Sequence, residues 1–333
     1  MKKRANLIAS ILIGIIIFSF VLQKIGIKET IAVFKKINLF YFTLFFILSS
    51  SIFLFYAWKW QMILSAYKKK VGILPLTNQS IAGFAISYAT PVSRAGGEPV
   101  RAIMLKRESK IPYKIGISSV IIDKFTESVG AIIMGIIGLA FLIYSPEIIF
   151  STKIIFTVLM IFFIFIAFVF YSRSRKNKAI FSPLFSLPLI KDYKSSKKLK
   201  KNSEKIEKTM SYFFNNHKKQ WLNGIIIYLI TGIIFVFEVK YLALSIGISP
   251  SFYEIILIIT LFGLVSIIPI PGALGFQEAS QAYLFSFFFN NPAAGLAYSL
   301  LMRLRDVFFT ALGFAITSNF LGKQFLKEEN LLN

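Results

Sequence analysis

The chain has 333 residues, of which 56% are hydrophobic and 16% aromatic, and its mean hydropathy is +0.69. This composition excludes an ordinary soluble globular domain and is typical of an integral membrane protein. Because the chain has no Cys and one His, disulfides, thiolate metal sites and histidine-based metal or catalytic sites are excluded as well.

The net charge of +23 is concentrated beside apolar segments. Residues 173–220 hold 14 Lys and Arg against three acidic residues, and further basic clusters lie at residues 2–4, 68–70 and 106–114. Such clusters mark the cytoplasmic side of a membrane protein, whereas a nucleic-acid-binding protein uses its basic residues to neutralise phosphates. We therefore expect a multi-pass protein of the cell (plasma) membrane with both termini in the cytoplasm, and no nucleic-acid partner.

Membrane-spanning helices are expected, because segments with the period-2 alternation of a membrane barrel are absent. A short interfacial helix is predicted at residues 27–37, and an amphipathic helix at residues 198–215 within the basic loop 173–220. Six apolar segments are predicted to cross the bilayer: residues 5–25, 38–64, 116–144, 150–171, 221–247 and 293–321.

Two further apolar segments, residues 73–105 and 252–289, are predicted to enter the membrane and leave on the side of entry. The first lies between two basic clusters that both mark the cytoplasm, and both segments are interrupted by Pro and Gly. The predicted fold is an all-α polytopic membrane protein, with six spanning helices and two re-entrant helical hairpins arranged as an inverted repeat. It forms a single membrane domain over residues 1–333, with halves at 38–172 and 221–322.

The two interruptions share one pattern. Residues 91–98 (Pro-Val-Ser-Arg-Ala-Gly-Gly-Glu) and 271–278 (Pro-Gly-Ala-Leu-Gly-Phe-Gln-Glu) each end in a carboxylate seven residues after a proline. A second charge follows 25 residues later, Asp123 after Glu98 and Arg303 after Glu278. Paired, interrupted membrane segments with an intramembrane charge in each half indicate a transporter-like site between the halves.

Ten of the charges within the predicted membrane elements balance, five of each sign: Arg94, Arg101, Lys124, Arg303 and Arg305 against Glu98, Asp123, Glu127, Glu278 and Asp306. Each unpaired charge at the bilayer centre costs at least ~2.5 kcal/mol, so the charges must pair or face water. Two interpretations remain open. The charges form internal salt bridges that hold the two repeats together, or they form a binding site.

In the binding interpretation, Arg94, Arg101 and Arg303 bind a lipid phosphate, because guanidinium groups contact phosphate with two hydrogen bonds. Glu98 and Glu278 then orient the arginines, face a cationic head group or gate the site, in a shared polar cavity. Asp306, three residues after Arg303, holds that arginine in place. Without a candidate nucleophile or metal ligands, we expect no enzymatic activity.

Two smaller predictions concern residues near the helix ends. Glu238 and Lys240 lie late in their helix and are predicted to reach the outer interface. The tryptophans are predicted to lie in interfacial belts: Trp58, Trp60 and Trp221.

At these motifs the chain resembles the lysylphosphatidylglycerol synthase transmembrane-region family, also called flippase-like or UPF0104. Residues 90–102 are similar to the family's first motif in its double-glycine form. Residues 268–278 are similar to its Pro-Gly-Gly-Leu-Gly-x-x-Glu motif, which a helix bearing Arg303 follows. Ala273 stands where the family usually has the second Gly, and Gln277 where a basic residue is common, so head-group preference is expected to differ.

The resemblance implies lipid translocation. Because the sequence ends at Asn333, just after the membrane region, we expect a stand-alone member that lacks the soluble synthase domain and its activity. The function expected is to bind an anionic phospholipid or polyprenyl-phosphate/glycolipid head group and move it between leaflets, without cofactor or metal. The alternatives are a membrane scaffold for a glycosyltransferase or lipid-modifying enzyme, and an ion-coupled carrier of a small solute. A glycosyltransferase or a second copy of the chain is a possible partner.

The residues assigned to head-group binding are Arg94, Gly96, Gly97, Glu98, Arg101, Asp123, Pro271, Gly272, Gly275, Gln277, Glu278, Arg303 and Asp306.

Overall fold

The computed structural model describes residues 27–90, 96–183, 196–265 and 273–329. Within these ranges the secondary structure is helical, without strands. The helices, in chain order, are α1 (Ile27–Phe34), α2 (Leu39–Ser65), α3 (Ile73–Ala89), α4 (Glu98–Glu108), α5 (Tyr113–Tyr144), α6 (Phe150–Arg175), α7 (Ser196–Asn216), α8 (Lys218–Ser245), α9 (Phe252–Val265), α10 (Phe276–Phe289) and α11 (Pro292–Glu329).

Four described helices are long and apolar enough to cross a bilayer: α2, α5, α6 and α8. They confirm the spans predicted at residues 38–64, 116–144, 150–171 and 221–247. The span predicted at residues 5–25 lies outside the described residues. The span predicted at 293–321 falls within α11, which is long enough to cross but carries Arg303, Arg305 and Asp306 in its middle, so that apolar composition alone does not mark it.

The helices α2 and α8 form an antiparallel pair. The side chain of Asn38 caps α2 by accepting a hydrogen bond from the N–H of Phe40 at 3.0 Å, and the N–H of Asn38 donates to the carbonyl of Ser245 at the end of α8, at 2.8 Å. Near the other end of the pair, Gly224 of α8 lies beside the side chain of Lys59. The start of each helix therefore meets the end of the other.

The remaining helices surround this pair in the same order in both halves. In the first half α2 contacts α3 and α5, and α4 packs against both α3 and α5. In the second half α8 contacts α9 and α11, and α10 packs against both α9 and α11. Contacts of α3 with α11 and of α5 with α9 join the halves. Four helices of the first half, α2 to α5, thus have counterparts with equivalent neighbours in α8 to α11.

The interrupted segments are pairs of short helices, as the Pro and Gly pattern predicted. With 17 and 11 residues, α3 and α4 are about 26 and 17 Å long, and α9 and α10, with 14 residues each, about 21 Å. Each helix is shorter than the ~30 Å hydrocarbon core. Hydrogen bonds join α3 and α4 at both ends of their contact, from Gln79 to Glu108 at 2.8 Å and from the N–H of Gly97 to Ser87 at 2.9 Å.

Two glycines bring α3 and α4 together. A Cβ atom added to Gly97 would lie 1.8 Å from the carbonyl oxygen of Gly83, and one added to Gly83 would lie 2.7 Å from the side chain of Arg101. Because a side chain at either position would separate the helices, the glycines set the distance between them.

The two hairpins open at opposite ends of the bundle. Near the open end of the α3–α4 hairpin, Val71 and Leu105 pack with Leu64 at the end of α2. At the open end of the α9–α10 hairpin, Phe288 packs with Leu142 near the end of α5. Helix α2 ends beside the first cluster, and helix α5 begins near that cluster and ends beside the second. The two openings therefore lie on opposite faces of the helix bundle.

The α3–α4 opening lies on the face that carries the basic loop. The amphipathic helix predicted at residues 198–215 is found as α7, and its buried Met210 and Phe213 pack against α2 and α5. Just after α2, the Tyr67 hydroxyl donates to the carbonyl of Thr209 at 3.0 Å, and burial raises the pKa of Tyr67 above its ordinary value. The phenol therefore stays protonated, and its hydrogen bond joins α7 to the end of α2.

Candidate functional site

Six charged side chains of the first half form a closed ring in which positive and negative groups alternate: Lys59, Glu127, Lys124, Glu98, Arg101 and Asp123. The ring contains three cations and three carboxylates and is neutral. Each member contacts two oppositely charged neighbours, so each charge has the partners that a charge within a membrane needs.

The buried side of the ring is built around Asp123. The Nζ atom of Lys59 lies 3.2 Å from Asp123 Oδ1 and 2.7 Å from Glu127 Oε1. On the other side, Arg101 Nη2 donates to Asp123 Oδ2 at 2.8 Å. The side chains of Lys59 and Asp123 are fully buried, whereas that of Glu127 is partly exposed.

The more exposed side of the ring is built around Lys124. Its Nζ atom lies 2.8 Å from Glu127 Oε2 and 3.2 Å from Glu98 Oε1, and Arg101 Nη1 closes the ring on Glu98 Oε2 at 3.1 Å. Helix geometry explains the placement: Glu98 lies in the first turn of α4 with Arg101 one turn later, and Glu127 lies one turn after Asp123 on α5.

Trp60 packs against Arg101, a member of the charged ring. The centroid of the Trp60 indole lies 4.2 Å from the guanidinium carbon of Arg101, and the indole Nε1–H donates to Ser119 Oγ at 3.0 Å. The side chain of Trp60 is fully buried in the protein. The prediction that it belongs to an interfacial belt is therefore wrong, because it packs on a buried cation instead.

A second network lies in the other half and begins with Arg303 of α11. Its Nε donates to Glu278 Oε1 at 2.6 Å, and its Nη1 donates to the hydroxyl of Tyr88 at 3.0 Å. Glu278, fully buried in the first turn of α10, also accepts from the N–H of Gly275 at 2.8 Å. Gly275 has a φ of +78°, which glycine adopts without strain, and Ala273 nearby has a φ of +47°, which alanine does not.

The second network continues through Arg305. Its guanidinium contacts Glu238 and donates to Asp306 Oδ1 at 3.0 and 2.7 Å, and Ser49 of α2 donates to Glu238 at 2.5 Å. Glu238 is 1% exposed, so the prediction that it reaches the outer interface is wrong. Asp306 was predicted to hold Arg303, but it pairs with Arg305, while Glu278 pairs with Arg303.

The ion pairs of the described residues stay within their own halves. Asp123 pairs with groups of α2 and α4, and Arg303 with Glu278 of α10. Contacts between the halves include the hydrogen bonds from Arg303 to Tyr88 and from Ser49 to Glu238. The salt bridges therefore organise each half from within, which differs from the interpretation that they hold the two repeats together.

A cavity of about 410 Å³ lies between the two networks. Both halves contribute charged and amide groups to its wall: Glu98, Arg101, Lys124, Glu127, Glu238, Gln277, Arg305 and Asp306. This size is within the range of small-molecule sites.

The structure describes ten of the thirteen predicted site residues, and these ten form three groups. Glu98, Arg101, Gln277 and Asp306 line the cavity. Asp123, Glu278 and Arg303 do not line the cavity, so that of the two paired glutamates Glu98 alone lines it. Gly96 and Gly97 precede α4, and Gly275 precedes α10. Three predicted residues lie outside the described ranges: Arg94, Pro271 and Gly272.

Sequence reasoning missed two members of the networks, Lys59 and Glu238. Lys59 lies inside an apolar span, and a lysine in that setting was itself the signal of a buried charge partner. Glu238 was noticed but assigned to the interface because of its position late in α8. The arginine that pairs with it comes from α11, which no local pattern reveals.

A helical membrane bundle with a polar central cavity is the class of protein that this fold and site define. The chain belongs to the family described as lysylphosphatidylglycerol synthase TM region, whose sequence model matches residues 7–313. A UPF0104 membrane protein of Methanothermobacter thermautotrophicus (strain Delta H) is 26% identical over 133 residues. That match covers 40% of this chain and 39% of the relative.

Proposed function

We propose that the protein binds the head group of a membrane lipid in the central cavity and moves the lipid between leaflets. The observation that carries this proposal is the cavity of about 410 Å³, lined by charged and amide groups from both halves inside an otherwise apolar bundle. A polar space of this kind lowers the cost of taking a head group through the hydrocarbon core, because fixed protein dipoles and charges replace water.

The proposal includes the inverted repeat and the re-entrant hairpins. Equivalent neighbours in the two halves and the antiparallel α2–α8 pair support a two-fold relation with its axis in the membrane plane. Asp123 lies ten residues after Tyr113 and Arg303 eleven after Pro292, about 15 and 16 Å along their helices. Arg101, after the first interruption, pairs with Asp123, and Glu278, after the second, pairs with Arg303; the proposal puts both pairs at about half the thickness of the core.

The head group is that of an anionic phospholipid or of a polyprenyl-phosphate or glycolipid. Lys124 is the cavity cation most open to an arriving group, because its side chain is 37% exposed. Arg101, beside it, offers a planar guanidinium, although both cations already share carboxylates. In this proposal the protein catalyses no reaction of the lipid. It lies in the plasma membrane with both termini in the cytoplasm.

Leaflet exchange in vesicles tests the proposal. Purified protein is reconstituted in phosphatidylcholine vesicles with fluorescent lipids of different head groups, and bleaching by an impermeant reductant from outside measures exchange. Ser80 lines the cavity, so Ser80→Phe should block exchange. Ser128→Phe, on the exposed side of α5, is the matched control and should exchange like the parent.

Exchange no faster than in protein-free vesicles for every head group would contradict transport. Equal exchange by both phenylalanine variants would remove the cavity from the path. A protein that binds lipid without exchanging it would favour the scaffold alternative.

A further inference from the structure

Four residues that line the cavity each hold one buried polar atom without a hydrogen-bond partner among the described residues. The four atoms are Ser80 Oγ, Arg101 Nε, Glu238 Oε2 and Gln277 Nε2. Their residues are between 1% and 8% exposed and come from four helices: α3, α4, α8 and α10. Buried polar groups are normally paired, so four of them around one cavity indicate a ligand with matching groups.

The four atoms require a ligand that both donates and accepts. Arg101 Nε and a Gln277 amide nitrogen are donors, Glu238 Oε2 is an acceptor, and the Ser80 hydroxyl serves as either. A phosphate without a proton only accepts hydrogen bonds and leaves Glu238 Oε2 without a donor. A hydroxyl group donates to one neighbour while accepting from another, and it satisfies Gln277 whichever way the amide is turned.

The charge of the networks also favours a neutral ligand. The ring of the first half is neutral, and Arg305 contacts both Glu238 and Asp306. A phosphate entering this space adds a negative charge where each described wall cation already has a carboxylate partner, so the added charge is not compensated. An uncharged polyol adds none.

Aromatic rings form another part of the wall. Phe53 contacts Phe84 with ring centroids 5.5 Å apart and Phe309 at 4.7 Å, and Phe84 stacks on Tyr88 at 5.9 Å. The faces of aromatic rings carry partial negative charge and attract polarised C–H groups. A sugar ring presents C–H groups on its faces and hydroxyls around its edge, which matches an aromatic surface beside hydrogen-bonding side chains.

We propose that the group entering the cavity is an uncharged, hydroxyl-rich head group, a sugar or polyol. Its hydroxyls form hydrogen bonds with Ser80, Arg101, Glu238 and Gln277. This inference rests on the proposed function, because it names the substrate class of the same cavity. The phosphate of a phosphate-linked sugar lipid then stays outside the four-residue site.

The test compares three fluorescent diacyl lipids in the exchange assay: a glucosyl lipid, its tetra-O-methyl analogue and phosphatidic acid, whose head group is a phosphate without a polyol. Gln277 and Gln281 provide a matched pair, because both are buried glutamines one turn apart on α10 and only Gln277 lines the cavity. Native mass spectrometry of the same preparations measures binding of each lipid separately from exchange.

We expect the glucosyl lipid to bind and exchange about tenfold or more faster than the methylated analogue, because a site built for hydroxyls is left with unpaired groups by an analogue that lacks them. Gln277→Leu and Glu238→Gln should lose most of that preference, and Gln281→Leu should keep it. Exchange and binding of phosphatidic acid equal to that of the glucosyl lipid would overturn the inference while leaving lipid transport intact. Selective binding of the glucosyl lipid without exchange of any lipid would instead contradict transport alone.

Discussion

Asp123 is a fully buried carboxylate held between the cations of Lys59 and Arg101. Removal of one member of a buried ion pair leaves an uncompensated charge, which costs more than the pair contributes. At the scale of residues, the stability of the first half therefore depends on the balance of the ring.

Asp123→Leu leaves the ring with one excess cation, and Lys59→Met leaves it with one excess carboxylate. We expect each single variant to lose about 3 to 5 kcal/mol of stability. The double variant leaves Arg101 and Lys124 against Glu98 and Glu127 and is neutral again, so it should be more stable than either single variant. Thermal unfolding of the three proteins in detergent measures this; a double variant as unstable as the sum of the singles would contradict the ring account.

Ala273 gives a second prediction at this scale. Its φ of +47° lies in the left-handed region, where an L-residue with a Cβ is disfavoured by roughly 1 to 2 kcal/mol. Ala273→Gly should therefore raise thermal stability. Ala279→Gly, in the helical part of α10, is the control and should lower it by about 1 kcal/mol. Equal effects of the two changes would show that backbone conformation at Ala273 carries no strain.

Individual charges could be predicted better than their partners. The sequence places Glu98, Arg101, Asp123, Glu278 and Arg303 inside apolar segments, and physical cost alone then requires that they pair. The choice of partner depends on which helices are neighbours, so the pairing of Asp306 with Arg305 and of Glu238 with the same arginine could not be read from spacing.

At the scale of elements, the α3–α4 hairpin depends on the contact between Gly83 and Gly97. Gly97→Ala places a Cβ against the carbonyl of Gly83 and should separate the helices, with a large loss of stability and of the Arg101 contacts. Gly263→Ala on α9 is the matched control, because a Cβ there meets no atom within 4 Å. Hydrogen exchange over α3 and α4 measures the effect; equal protection in both variants would contradict it.

The helices themselves could be predicted from hydropathy and from the positions of Pro and Gly. The apolar runs gave α2, α5, α6 and α8 to within a few residues, and the amphipathic period gave α7. Pro and Gly in the first interrupted segment indicated a break, and the structure ends α3 at Ala89 and begins α4 at Glu98. The span predicted over residues 293–321 is harder to recognise by composition, because the carboxylates that pair with Arg303 and with Arg305 include Glu278 and Glu238 of other helices.

At the scale of the whole molecule, the two hairpins open on opposite faces, and the basic clusters at residues 68–70 and 106–114 lie at the α3–α4 opening. The chain has no Cys, so single cysteines report sidedness without background. Exposed Lys68 and Lys110 flank the opening of the α3–α4 hairpin, and exposed Tyr144 lies at the far end of α5.

We expect Lys68→Cys and Lys110→Cys to react with an impermeant thiol reagent from the cytoplasmic side, and Tyr144→Cys from the outside. Labelling of Lys68→Cys and Lys110→Cys from opposite sides would mean that α3 and α4 together cross the membrane and do not form a re-entrant hairpin.

The central claim is that a lipid head group enters the cavity between the two charged networks. A lipid with a photoreactive group on its head, activated in vesicles that contain the protein, tests it directly when the adducts are mapped by peptide mass spectrometry. The account predicts adducts on cavity-lining positions of both halves, around Ser80 to Arg101 and around Tyr228 to Glu238. Adducts confined to the exposed apolar surface of α6, such as Phe162 and Phe165, would contradict it.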